Sequence, residues 1–365
     1  MKRTIAPFIL FCLVFAASSA FASALTDEQF ERIRRGTELV ADDRFAEGLK
    51  IFRDLQETLP DHPVGYFFEL AILEKIQTDY MTDYREKHFD ILYKQAKEVA
   101  RDYIEDHPED PYGYFFLGGV QGYHGIHYYR TEKKLSVFID AIKALSNLKR
   151  AYKMNPELWD IYYGLGNYKY WKAVYASFLN PFRFRGKKNR KEGIRYLRLA
   201  SEKGLYSKGE ATGALIRVLR HEKRYREALA IAEREIEKYP NSFFLRQFRS
   251  SILKRLGKWE ALYRESRVMK TMLDKKPWNS PEARIYSLYM KGLAAERLGR
   301  PHEARTIYRN ILDLYRTHRD EKEINRKYVS RAGKRLLRIR RRDRKDRKQA
   351  IKNGTLTPLP RDYFE

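Results

Sequence analysis

Apolar side chains recur along most of this chain at steps of three and four residues, the period of helices with one buried face. In FAEGLKIFRDLQETLP, Phe45, Gly48, Phe52, Leu55 and Pro60 follow one another at spacings of three, four, three and five. Thr26, with Gln29 three residues on, resembles a capping box opening a first helix that runs to Val40 and turns at Asp42 and Asp43. The pattern then repeats, predicting about seven helical hairpins. The second opens with HPVGYFFELAILEKI, and its second helix starts near His88. The third spans Tyr112 to Met154, and the fourth runs from Trp159 to Gly204 with an insert, VYASFLNPFRFRGKKNRK, at 174–191. The fifth carries Tyr225, Ala228 and Pro240; the sixth turns at Gly257, a residue suited to a left-handed C-cap. The seventh opens with Ser280, an N-cap residue, and Pro281 at the first helical position, and turns at Gly299.

Two stretches share a finer motif. Tyr114, Leu117 and Gly118 stand six, nine and ten residues after Pro108, and Tyr162, Leu165 and Gly166 stand at the same offsets after Pro156. GYFF occurs at 65–68 and again at 113–116, and Pro63, Pro111 and Pro156 mark openings 48 and 45 residues apart. These motifs resemble the tetratricopeptide repeat, a helix pair of about 34 residues. The resemblance covers most of residues 29–317 and is weaker in the second and sixth hairpins. It implies an all-α fold, a right-handed α-α superhelix whose concave face is built from the first helix of each pair. Each unit buries its apolar face against its neighbours, so residues 25–320 form one cooperative repeat domain. Such a fold says little about function, which has to be argued from its surfaces.

The ends of the chain differ in character. Lys2 and Arg3, an apolar run from Ile5 to Ala17 and the segment ASSAFASA form the layout of a secretory signal peptide over residues 1–24, with cleavage after Ala22 or Ala24. An uncleaved anchor is the other reading, against which the run is short for a span of about 20 residues. The expected location is the periplasm or cell envelope. Cys12 lies in the leader, so the mature chain has no thiol, disulfide or cysteine-metal chemistry. No later stretch is long and apolar enough to span a membrane. Residues 326–352 hold 14 Lys or Arg against two Asp, within a basic C-terminal helix predicted over 321–352 and followed by a flexible tail, 353–365. Leu336, Leu337 and Ile339 let the first part of that helix cap the stack. The whole chain has a net charge of +26. Behind a leader, this charge points to anionic lipid, envelope polymer or acidic protein partners rather than nucleic acid.

The resemblance also projects groove-facing positions, the second, fifth, ninth, twelfth and thirteenth of each unit. These are Phe67, Tyr112, Phe115, Tyr123, Tyr163, Asn167, Tyr170 and Trp171 toward one end. Toward the other they are Arg217, Arg220, His221, Gln247, Lys254 and Arg255. An aromatic and then basic groove suits an extended peptide with acidic residues or a free carboxylate. The competing reading packs the aromatics between helices and leaves the arginines in solvent. Gly118, Gly119, Gly122 and Gly125 serve either close helix packing or access to backbone. His124 and His127, one turn apart, can share a metal or simply stack; H-E-x-x-H is not formed. The insert sets Phe178, Phe182 and Phe184 beside Arg183, Arg185, Lys187, Lys188 and Arg190, a mixture fitted to a lipid interface or to folding back onto the stack. The function expected is a non-catalytic scaffold, without metal or cofactor, that captures a peptide or protein segment. The alternative is attachment to anionic lipid or envelope polymer through 178–190 and the basic helix, and a hydrolase or metal enzyme is the third class.

Overall fold

The computed structural model describes residues 25–130, 134–179, 185–318 and 326–353, together with Thr355. The leader and most of the tail lie outside the described residues. Among the described residues fifteen helices, with no strand, form seven successive hairpins and a final single helix. The pairs are α1 (Asp27–Ala41) with α2 (Phe45–Thr58), α3 (Val64–Asp79) with α4 (Glu86–Asp106), and α5 (Pro111–Arg130) with α6 (Lys134–Met154). They continue as α7 (Ile161–Leu179) with α8 (Arg185–Lys203), α9 (Lys208–His221) with α10 (Tyr225–Lys238), and α11 (Phe243–Leu256) with α12 (Trp259–Asp274). The last pair is α13 (Pro281–Arg297) with α14 (Pro301–Thr317), after which α15 (Arg326–Lys352) packs on both.

The local signals act as their chemistry dictates. Thr26 accepts from the Gln29 amide at 3.3 Å while the Gln29 side chain accepts from the Thr26 amide at 2.7 Å. Ser280 caps α13 by accepting from Ala283 N at 3.0 Å, with Pro281 behind it. Gly257 closes α11 at φ +70°, a left-handed conformation that costs glycine nothing. The recurring proline has a physical partner six residues on. The Tyr114 hydroxyl donates to the Pro108 carbonyl at 3.3 Å, and the Tyr162 hydroxyl donates to Pro156 at 2.8 Å. In the sixth hairpin Arg246 donates to the Pro240 carbonyl at 2.8 Å, so a guanidinium does the work of the phenol.

Two expectations change. The 174–191 segment is largely helical rather than an inserted loop: α7 continues to Leu179 and α8 begins at Arg185. The backbones of these helices come together at a glycine pair. A Cβ on Gly193 would lie 2.8 Å from Tyr170 N and 2.9 Å from the Gly166 carbonyl, contacts that backbone atoms cannot relieve by rotating. Gly193→Ala is therefore expected to cost about 2 kcal/mol, as overpacking does; a denaturant midpoint equal to that of the parent chain would refute this. The second change concerns the basic helix, which buries Val329, Ala332, Leu336 and Ile339 while Leu337 stays exposed.

The superhelix also closes on itself. Tyr80, at the end of α3, stacks on Phe243 of α11 with centroids 4.9 Å apart, and its hydroxyl donates to Asp43 at 2.7 Å. The same Asp43 oxygen accepts from the Phe243 amide at 2.8 Å. Asn241 donates twice to Asp42, at 2.8 Å each, and the Ser280 hydroxyl donates to the Tyr80 carbonyl at 2.6 Å. Phe45 packs on Trp278 with centroids 5.5 Å apart. The first two hairpins thus meet the start of the sixth and the approach to the seventh, a closing contact that a simple stack lacks.

Candidate functional site

A cavity of about 440 Å³ lies on the inner face. Its walls come from α3, α5, α6, α7 and α9 and from the turn between α8 and α9. Phe67, Phe115, Tyr123, Tyr163, Asn167, Trp171 and Arg217 all line it, joined by Leu145, Leu148, Tyr206 and Glu210. Its floor is α5, where the glycines divide between two roles. A Cβ on Gly119 would strike the Phe67 ring at 2.5 Å, and one on Gly118 would lie 3.1 Å from the Ala144 carbonyl, so these two allow close packing. A Cβ on Gly122 would meet nothing within 4 Å. Gly122 therefore opens space that a larger residue would fill.

The turn between α8 and α9 forms one wall because Asp160 holds it. One carboxylate oxygen of Asp160 accepts from Tyr206 N at 2.8 Å and Ser207 N at 2.7 Å, and the other accepts from Leu205 N at 3.2 Å. Charge is sparse inside. Burial raises the Glu210 carboxyl above its ordinary range against the opposing pull of Lys75. Arg217, exposed at one end, supplies the cavity's cation.

Not all the projected residues meet here. Tyr170 is fully buried and turned away: its hydroxyl lies 2.6 Å from His221 Nδ1 and donates to Glu222 at 2.8 Å. Tyr163, Gly164, Asn167, Tyr168 and Trp171 of α7 line the cavity, whereas Tyr170 does not. Tyr112 is half-buried and packs edge-on to Tyr206 at 5.6 Å rather than lining the cavity. Gln247 donates to the Asp79 carbonyl at 2.5 Å and so belongs to the closing seam. Arg220, Lys254 and Arg255 do not line it but neighbour one another on α9 and α11. Tyr206, Ser207, Leu145 and Leu148 were not foreseen, since the first two sit in an aperiodic turn and the others on second helices of their pairs.

His124 and His127 are stacking residues. His124 lies 3.5 Å from the Tyr93 ring centroid and 2.7 Å from an Asp140 oxygen, and His127 lies 3.8 Å from Phe89. Burial lowers the His124 pKa despite Asp140. Among the described residues no group of three or more His, Cys, Asp or Glu is placed to hold a metal. Phe182, Arg183 and Phe184 lie outside the described residues, as do the side chains of Phe178, Arg185 and Lys187. Lys188 is exposed, and Arg190 pairs with Glu222 at 3.3 Å. No helix among the described residues is long and apolar enough to cross a membrane.

Residues 286–318, the body of the seventh hairpin, match the tetratricopeptide repeat family. That hairpin is a tetratricopeptide repeat, set in a chain whose fifteen described helices pack in succession as a tetratricopeptide-like α-solenoid. Tetratricopeptide-repeat folds are those of protein-interaction scaffolds and are generally non-catalytic. No curated protein matches the sequence. Among solved structures, the chain is similar to one from the APC/C hetero-tetramer Cut9-Hcn1, with 12% identity and a TM-score of 0.48. That match covers 84% of this chain but 52% of the other, so this chain spans about half the length of its counterpart. It is also similar to a thermophilic tetratricopeptide-repeat protein of Thermus thermophilus, with 21% identity, a TM-score of 0.39 and coverage of 62% and 98%. A tetratricopeptide-repeat protein of Parabacteroides merdae matches with 13% identity, a TM-score of 0.36 and coverage of 85% and 99%.

Proposed function

We propose that this protein is an exported, non-catalytic scaffold that captures an extended segment of a partner protein on its inner face. The observation that carries the reading is the cavity itself. Aromatic rings from three helices line a space with room for more than one large side chain, with Arg217 among its lining residues. Rings of this kind give contact area at little entropic cost, and the arginine orients a carboxylate beside the anchored residue. Export rests on the leader pattern of residues 1–24 and is checked by whether a fusion to that segment is processed and leaves the cytoplasm.

Gly122→Leu tests the capture reading. The new side chain enters open space, and glycine in a helix costs about 1 kcal/mol against alanine. The variant should therefore be at least as stable as the parent while its cavity is filled. A photoreactive residue at Asn167, on the cavity wall, should crosslink a protein partner in the native cell envelope, and Gly122→Leu should abolish that adduct. An undiminished adduct in a folded Gly122→Leu variant would reject the cavity as the anchor site. Adducts with lipid or polymer alone would favour envelope attachment through 178–190 and the basic helix.

A further inference from the structure

Beyond the cavity the chain carries a row of cations. Arg217 and Arg220, three residues apart on α9, lie 5.9 and 5.1 Å from the centroid of the same Phe248 ring. Arg220 also donates to Ser251 at 2.6 Å. Next come Lys254 and Arg255 of α11, then Lys327 and Arg331 from the first turns of α15. Lys254 is half-buried among them. Burial first, then Arg255, Arg331, Arg220 and Lys327, push its ammonium down to about 8. The other titratable groups facing this row are the phenols of Tyr286 and Tyr328, with Glu282 beside Tyr328, and at the Arg217 end Asp79 and Tyr163.

The same helices treat their other cations differently. Arg246 and Arg249 of α11 both pair with Glu265, and Arg335 of α15 pairs with Glu296 at 2.8 Å. Among the described residues, no carboxylate lies at ion-pair distance from Arg217, Arg220, Lys254, Arg255 or Arg331. Arg220 and Lys254 are half-buried while Arg217, Arg255, Lys327 and Arg331 are exposed, and holding like charges around the two half-buried ones is unfavourable unless an anion joins them.

We infer that the start of α15 completes, with α9 and α11, a receptor for a run of acidic side chains on the captured segment. This rests on the capture reading above and extends it. The row begins at Arg217, which also lines the cavity, so one chain can set an apolar residue in the cavity and lay the carboxylates that follow it along the row. Guanidinium groups on such carboxylates form paired, charge-assisted hydrogen bonds.

The test uses acetylated, amidated hexaglutamate bearing a fluorophore, followed by anisotropy at low salt. Removing Arg220, Lys254 and Arg331 together (R220Q, K254M, R331Q) should weaken binding about tenfold or more, the scale expected for several charge-assisted contacts. A control that removes equal charge from the far half of α15 (R338Q, R340Q, R341Q) should weaken it about twofold or less, since exposed charges act weakly at a distance. Binding at pH 8.5 should take up protons, because a carboxylate beside Lys254 restores its charged form, and K254M alone should abolish that uptake in calorimetry across two buffers. Equal weakening by the two triple variants would reduce the effect to net charge and overturn the inference. Absence of proton uptake, or tighter binding of inorganic pyrophosphate than of hexaglutamate, would also overturn it. The probe carries no apolar side chain, so its binding reports on the row whether or not the cavity holds an anchor.

Discussion

Asp160→Ala should lose about 3 to 5 kcal/mol of stability, as much as truncating a buried aromatic ring. Asp160 is buried, and its oxygens are the acceptors for three successive amides, Leu205, Tyr206 and Ser207, as well as for the Ser207 hydroxyl. Alanine leaves these donors in a place that water reaches poorly, and each buried donor without a partner costs about 1 to 3 kcal/mol. Asp160→Asn is the informative partner. Its amide oxygen can still serve Tyr206 and Ser207, leaving Leu205 to lose its acceptor, so its cost should be about 1 to 2 kcal/mol. Urea titrations of the three proteins measure both values. A difference below about 1 kcal/mol between parent and alanine variant would mean that the turn is held by something else. Tyr206 and Ser207 line the cavity, so the alanine variant should also lose capture at temperatures where it remains folded.

The second large effect depends on pH. Asp43 sits in the closing seam at 1% exposure, and burial pushes its carboxyl up to about 7, outweighing the opposing influence of Lys75. One of its oxygens has no hydrogen-bond partner. Unfolded, the same carboxyl titrates near its ordinary value, so between about pH 4 and 7 the folded chain binds more protons than the unfolded one. The contribution of this group is therefore fully present in acid and is lost as pH rises toward 7, by as much as about 4 kcal/mol. Asp43→Asn should remove that loss. Asparagine tolerates the left-handed backbone at this position, where φ is +55°. The readout is the difference between the two pH profiles, in which any constant cost of the amide cancels. The variant should gain on the parent from pH 4 to 7 and then hold its lead. Burial raises Asp79 and Glu210 in the same direction, so a smaller slope should persist in the variant. Parallel profiles would show that Asp43 keeps an ordinary pKa when folded.

The hairpins were legible because their determinants are local. A helix with one buried face prints its period on the sequence, and Thr26, Gly257 and Ser280 punctuate it by chemistry that acts over a few residues. The offset of Tyr114 from Pro108 was legible as a repeat before its hydrogen bond gave it a cause. The closing seam was not legible. Asp43 meets Phe243 across 200 residues, and no periodic pattern at either position announces the other. The cavity fell between these cases. Family register brought Phe67, Tyr163 and Trp171 to one place, whereas Tyr170 needed the rotation of α7 to be known within one residue. Lys327 and Arg331 were hidden differently, inside a charge run whose composition does not distinguish a cation facing the groove from one facing solvent.

Closure also fixes a number. In an open array a hairpin can be duplicated or lost with little effect on the rest, since each unit meets its neighbours alone. Here Asp43 must reach Phe243 and Tyr80 must reach Ser280, so inserting or deleting a unit between them moves each partner a full step along the superhelix. Duplication, the ordinary way such arrays lengthen, is disfavoured between these residues, and growth is left to units added outside them.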